Sequence, residues 1–96
     1  MYARIATFEG GDTEKLRQMS EENMKSGQMQ MPDGMKRAMV LAGDNRRLFI
    51  SFFDSKEAAD AAEAQFNKMG DDVPEEVRGR RTSVDLYEVA WDEQPA

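Results

Sequence analysis

"RRLFISFFDSKEAADAA", Arg46 to Ala62, sets two patterns side by side. Its first half contains "LFISFF", apolar at both parities of a strand, so both faces of that strand require cover. In the second half the period changes. Asp54, Ser55, Lys56 and Glu57 read as a capping-box type of helix start, in which the Asp54 carboxylate takes an orphan amide and Glu57 reaches back. The alanines at 58, 59, 61, 62 and 64 favour helix and, having no bulk, let it approach a sheet. Phe66 and Met69 fill the space at its end, and Gly70 is expected to stop it.

Upstream, "YARIATFE" (residues 2–9) carries apolar and β-branched residues in alternation and breaks at Gly10-Gly11, which predicts a first strand. Asp12 is a plausible N-cap for the helix that follows, with acid in its first turn at Glu14 and Gly27 as its stop. Its inward stripe reads Leu16, Met19 or Ser20, Asn23 and Gly27, with only two large apolar groups, so the helix depends on tertiary packing. Pro32-Asp33-Gly34 is turn chemistry. "KRAMVLA" (36–42) then predicts a second strand, reversing tightly through Gly43–Arg46 into the third at Arg47–Phe53. "DDVPEEVRG" predicts one further helical turn between Pro74 and Gly79. "RTSVDLYEVAW" (81–91) predicts the last strand, and 92–96 a frayed tail.

The order is βαββαβ over one domain, residues 1–96. With right-handed crossovers it gives an α+β, ferredoxin-like fold: a four-stranded antiparallel sheet, ordered 4-1-3-2, with both helices on one face. Half of "LFISFF" is then left bare in a monomer, and an exposed apolar patch of that kind marks an interface. The simplest closed solution is a homodimer joined through the open sheet faces.

Composition sets limits on function. The net charge is −6 and the pI about 4.6, so the average field repels a polyphosphate and nucleic acid is a poor partner. The one basic cluster, "RGRR" at 78–81, lacks interleaved aromatics and reads as a solvated loop rather than an anion site. No run approaches the ~20 apolar residues of a membrane helix, and there is no charged and apolar leader, so a soluble, cytoplasmic protein without membrane partners is expected. There is no Cys and no His, which removes thiolate nucleophiles, zinc–thiolate sites, the commonest general base and the commonest metal and haem ligand. No metal and no cofactor are expected.

The layout resembles the dimeric α+β barrel superfamily, and within it the antibiotic biosynthesis monooxygenase-like group, over nearly the whole chain. The residues that carry the resemblance are "PDG" before the second strand, "FDSKEAADA" from Phe53 into the second helix, and "VDLYEV" in the last strand. It implies a sheet-to-sheet homodimer and a small apolar pocket between sheet and helices, which the cofactor-independent monooxygenases of the group use to hold a polycyclic phenol for reaction with oxygen. The pocket-lining aromatic of those enzymes falls at Phe53, and the amide side chain four residues earlier is replaced here by Phe49. The haem-degrading and chlorite-converting relatives rely on an axial His, which this chain lacks.

Two functions follow. One is a pocket for a small aromatic or apolar ligand, lined by Phe49, Phe53, Phe66 and Met39 with Asn23 as the polar contact, and extending to cofactor-free oxidation; no catalytic residue is assigned. The other is a non-catalytic dimeric binding or stress-responsive module in which those residues are only core. Ser51 shares the parity of Phe49 and Phe53 but has no base to activate it. The methionines at 19, 24, 29, 31, 35 and 39 read as adaptable packing or a pliable lip over the pocket, and "MQM" only weakly as a Cu(I) site. Tyr87 and Trp91 share a parity and line either the pocket or the dimer barrel. Between the first and last strands, charge favours a register that sets Arg4 opposite Glu88, Ala6 opposite Leu86 and Phe8 opposite Val84.

Overall fold

The computed structural model describes residues 1–26 and 32–95, the side chain of Met24 excepted. Its elements are β1 (Tyr2–Glu9), α1 (Thr13–Ser26), β2 (Met35–Gly43), β3 (Arg46–Phe53), α2 (Lys56–Asp71), α3 (Glu75–Arg78) and β4 (Arg80–Glu88). The sheet runs β2-β3-β1-β4 with every neighbour antiparallel, which is the expected order read from the other edge. β4 ends at Glu88 rather than Trp91, although the Val89 amide still donates to the Met1 carbonyl at 2.9 Å.

The two parities of β3 have different fates. Arg47, Ser51 and Phe53 are buried, Phe49 is half-buried, and all four point to the helices. Opposite them on β1 stand Phe8, Arg4, Tyr2 and Ala6. Leu48, Ile50 and Phe52 point to the open face, where they are half-buried. The rows of that face run from β2 to β4: Arg37, Phe52, Ala3 and Tyr87 form one, and Met39, Ile50, Ile5 and Asp85 the next.

Helix starts follow short polar side chains. Asp12 Oδ1 accepts from the Lys15 amide at 3.0 Å, as expected of the α1 cap. The cap of α2 is Ser55, whose Oγ accepts from the Ala58 amide at 3.1 Å, and not Asp54. The Asp54 carboxylate lies one residue too early for the first free amides and meets Lys36 Nζ at 3.3 Å instead. Ala59 and Ala62 of α2 pack directly on Phe53, with Ala58, Phe66, Met35 and Leu86 around them. This cluster is the hydrophobic core of the described residues.

The expected β1–β4 register is corrected by two residues. Arg4 lies opposite Leu86, Ala6 opposite Val84, and Glu88 opposite Tyr2. The cause is the helix layer, which strand pairing alone does not include. Arg4 projects towards α2, where Glu63 offers both carboxylate oxygens, at 2.8 Å from Nε and 3.1 Å from Nη2. A bidentate, partly shielded partner outweighs a cross-strand acid at an exposed edge.

Candidate functional site

The residues expected to line one pocket do not converge. Phe53 and Phe66 do meet, edge to face, with ring centroids 6.1 Å apart. Phe49 lies two rows away on the same face and pairs with Phe8, centroids 5.2 Å apart and planes at 73°. Met39 sits opposite Ile50 on the open face, so it cannot share a pocket with the three phenylalanines. Asn23 is exposed in the last turn of α1, where its backbone carbonyl accepts from Ser26 Oγ at 3.1 Å. Its place on the apolar stripe does not bring it inward, because the half-buried residues of α1 among those described are Leu16, Met19 and Ser20. Ser51 is buried towards the helices as expected. Met29, Met31 and Gly27, and the side chain of Met24, lie outside the described residues, and the copper reading of "MQM" with them.

Two concavities stand out among the described residues. One of about 130 Å³ lies between Pro32-Asp33 and the Ala58, Ala61, Ala62 and Gln65 face of α2. The other, of about 120 Å³, opens on the far side of the sheet between Met1, Lys36, Arg37, Phe52 and Asp92. Neither is lined by any of the five expected site residues. Phe53 is fully buried and fills the space that a ligand beside it would need. The half-open apolar region of the helix side is elsewhere, around Phe8 and Phe49, with Val40 beside Phe49 on β2 still 51% exposed. α1 begins at this end of the face, where Arg47 Nη1 donates to Thr13 Oγ1 at 3.0 Å.

Two arginines organise the helix side, and residue patterns did not single out either role. Arg4, with only 6% of its side chain exposed, holds Glu63 and lies 4.4 Å over the Phe66 ring. Its hydrogen bonds hold the Glu63 carboxyl below the usual carboxylate range against the opposing effect of burial, with help from the Arg4 and Arg81 charges. Arg47 is buried without a carboxylate. Its Nη2 donates to the Gly10 carbonyl and, at 3.0 Å, to the Arg78 carbonyl, so one guanidinium ties the β1–α1 turn to the end of α3. Gly11 and Gly79 take φ of +81° and +80°, and a Cβ at either would come within 2.6 and 2.7 Å of Nη2, so both positions require glycine.

The basic cluster is engaged within the chain. Arg78 Nε donates to the Val73 carbonyl at 3.1 Å, Arg80 lies 3.9 Å from Glu9, and Arg81 donates to Asn67 Oδ1 at 3.0 Å. Among the described residues no three acidic side chains gather as metal ligands. No described helix is long and apolar enough to cross a membrane. Tyr87 projects from the open face at 55% exposure, and Trp91, just past β4, is 78% exposed.

No family model matches the sequence, and no curated protein does. Among solved structures, the chain is similar over 99% of its length, and over 100% of the other chain, to a crystal structure of a point mutant of MhuD with two manganese protoporphyrin IX bound per active site. The TM-score is 0.58 and the identity 15%, which is a likeness of fold. The ferredoxin-like α+β fold expected from the sequence is therefore the fold of this chain.

Proposed function

We propose that the protein is a homodimer, joined through its open sheet faces, that holds a small aromatic or apolar ligand at the Phe8–Phe49 end of the helix side. The observation that carries the ligand reading is the half-buried edge-to-face pair of Phe8 and Phe49 with exposed Val40 beside it. Apolar surface in that position gains by being covered, at about 25 cal/mol per Å². Leu16 and Met19 of α1 are half-buried, so they can yield to a guest without breaking a packed core. Cofactor-free oxidation of the ligand by dioxygen is the activity that the fold resemblance adds. The porphyrin of the MhuD structure does not carry over, since this chain has neither the His nor the Cys that most often ligates haem iron.

A second reading, a dimeric module that holds no small molecule, is favoured by the size of the concavities. At about 130 and 120 Å³ they fall below the ~300 Å³ at which ligand pockets begin. A thermal-shift screen with aromatic ligands separates the two. A ligand at a hundredfold excess over its Kd should raise the Tm by about 10 °C in a domain of this size. Phe49→Ala should abolish that shift, and oxygen uptake on any hit tests for oxidation. A screen in which no ligand moves the Tm would leave the second reading standing. Sedimentation equilibrium at micromolar concentration tests the dimer, which a strictly monomeric mass would rule out.

A further inference from the structure

Phe8 stands between two arginines. Its partners across the sheet are Arg47 of β3 on one side and Arg81 of β4 on the other, with Cα atoms about 5 Å away. All three side chains lie on the helix side: Arg47 reaches Thr13 at the start of α1, and Arg81 reaches Asn67 of α2 at 3.0 Å. The next row along the strands holds Phe49 and Ala6, and the one after it Ser51 and Arg4. The half-open apolar pair of Phe8 and Phe49 is therefore rimmed by Arg47, Arg81 and Arg4.

Acidic side chains do not match these cations. Among the described residues, Glu63 is the one carboxylate within ion-pairing distance of any of them, and both its oxygens accept from Arg4. Arg81 stands at the outer limit of pairing with Glu63, at 4.0 Å, and donates to Asn67 through Nη1, so among the described residues its Nε–Nη2 edge has no hydrogen-bond partner. Arg47 is 2% exposed and forms no ion pair. Two main-chain carbonyls and a hydroxyl accept from its Nη1 and Nη2, and its Nε is buried without an acceptor. A buried guanidinium bonded only to neutral groups keeps its whole charge, and little water lies near to screen it. A chain with a net charge of −6 thus holds an excess of positive charge beside the half-open apolar part of its helix side.

We infer that the ligand of the Phe8–Phe49 end is an aromatic acid, its ring covering the two phenylalanines and its carboxylate set on the Nε–Nη2 edge of Arg81, in the field of Arg47. This rests on the aromatic-ligand reading proposed above and adds the charge of the ligand. The fork of an arginine meets a carboxylate in two parallel hydrogen bonds, which also fixes the direction in which the ring enters. Arg47 does not touch the acid. Its Nη2 is enclosed by Gly10, Gly11 and Gly79 and its Nε is buried, so it acts through charge alone.

The test is isothermal titration calorimetry at pH 7 with benzoate, naphthoate and anthracene carboxylate, each against its primary amide, since the members of a pair differ in charge and hardly in shape. The best-bound acid should bind at least about tenfold more tightly than its amide, and the preference should shrink as salt is raised. Arg81→Gln should bring the acid down to about the level of its amide, while Phe49→Ala weakens acid and amide alike. An amide that binds as tightly as its acid overturns the charge of the ligand and leaves the aromatic ligand standing. A preference that survives Arg81→Gln overturns the placement of the carboxylate. If no acid and no amide binds at millimolar concentration, the aromatic ligand and its charge fall together.

Discussion

Beneath α2, Phe53 is fully buried and Ala59 and Ala62 are 3% and 4% exposed, whereas along α1 no residue with a described side chain is buried. Both helices lie on the helix side of one sheet, and their sequences account for the difference. α2 presents alanines, whose small side chains let the helix axis approach until the Phe53 ring fills the gap. α1 presents Leu16 and Met19 among charges, and Arg17 is held between Glu14 and Glu21 on its solvent side. Exposed pairs of that kind favour the helix slightly but do not seat it on the sheet. One half of the helix side is therefore core, and the other is more loosely covered.

The largest effect that tests this contrast comes from truncating one phenylalanine in each half. Phe53→Ala removes a fully buried ring and leaves a cavity, so it should cost about 3–5 kcal/mol. Phe49→Ala removes a half-buried ring and should cost about 1–2 kcal/mol. Urea denaturation with the slope held constant measures both. Equal losses would mean that the two halves are equally packed and that the entry region is misplaced.

Much of this division was legible in residue order, and the rest was lost for identifiable reasons. The alanine run announced a closely seated helix, and the two-sided apolarity of β3 announced an uncovered face. Met39, expected beside the phenylalanines, lies on the opposite face, and the signal for this is present in the sequence. A reversal that pairs Gly43 with Arg46 through Asp44 and Asn45 forces Met39 opposite Ile50, and Ile50 has the parity opposite to Phe49 and Phe53. Asn23 failed for a different reason: helical spacing gives a direction around the axis but not how close that turn lies to the sheet. The Arg4 register failed because strand alternation contains no information about the helix above. Arg47 could not be read at all, since its partners are main-chain carbonyls and a threonine distant in sequence.

A smaller effect should come from the ion pair that closes the dense half. Glu63→Gln leaves Arg4, with 6% of its side chain exposed, over Phe66 without its carboxylate, while Arg4→Met leaves a carboxylate that is 42% exposed and can turn to water. Glu63→Gln should therefore be the costlier change, at about 1–2 kcal/mol, between the values for exposed pairs and for fully buried ones. The double variant should show a coupling of about 1 kcal/mol. Additive losses would reduce the contact to two independent packing interactions.

The smallest effect should be the pH dependence of the same pair. The Arg4 hydrogen bonds hold the folded Glu63 carboxyl below the usual carboxylate range, so the unfolded chain takes up its proton at higher pH than the folded one does. The stability this contributes is fully present above the unfolded value, and it is lost as the pH falls through the lower, folded value. Because the side chain is 42% exposed, water and salt screen the contribution to less than about 1 kcal/mol. The stability difference between the parent and Glu63→Gln should therefore be constant from pH 7 to pH 5 and shrink between pH 5 and pH 3. Other carboxylates titrate in the same range, Glu14 among them with its value lowered by Arg17, but they do so in both proteins and cancel in the difference. Urea midpoints of the two proteins at pH 7 and pH 3.5 give the comparison. A difference that stays the same at both would mean that Arg4 holds Glu63 through shape and not through charge.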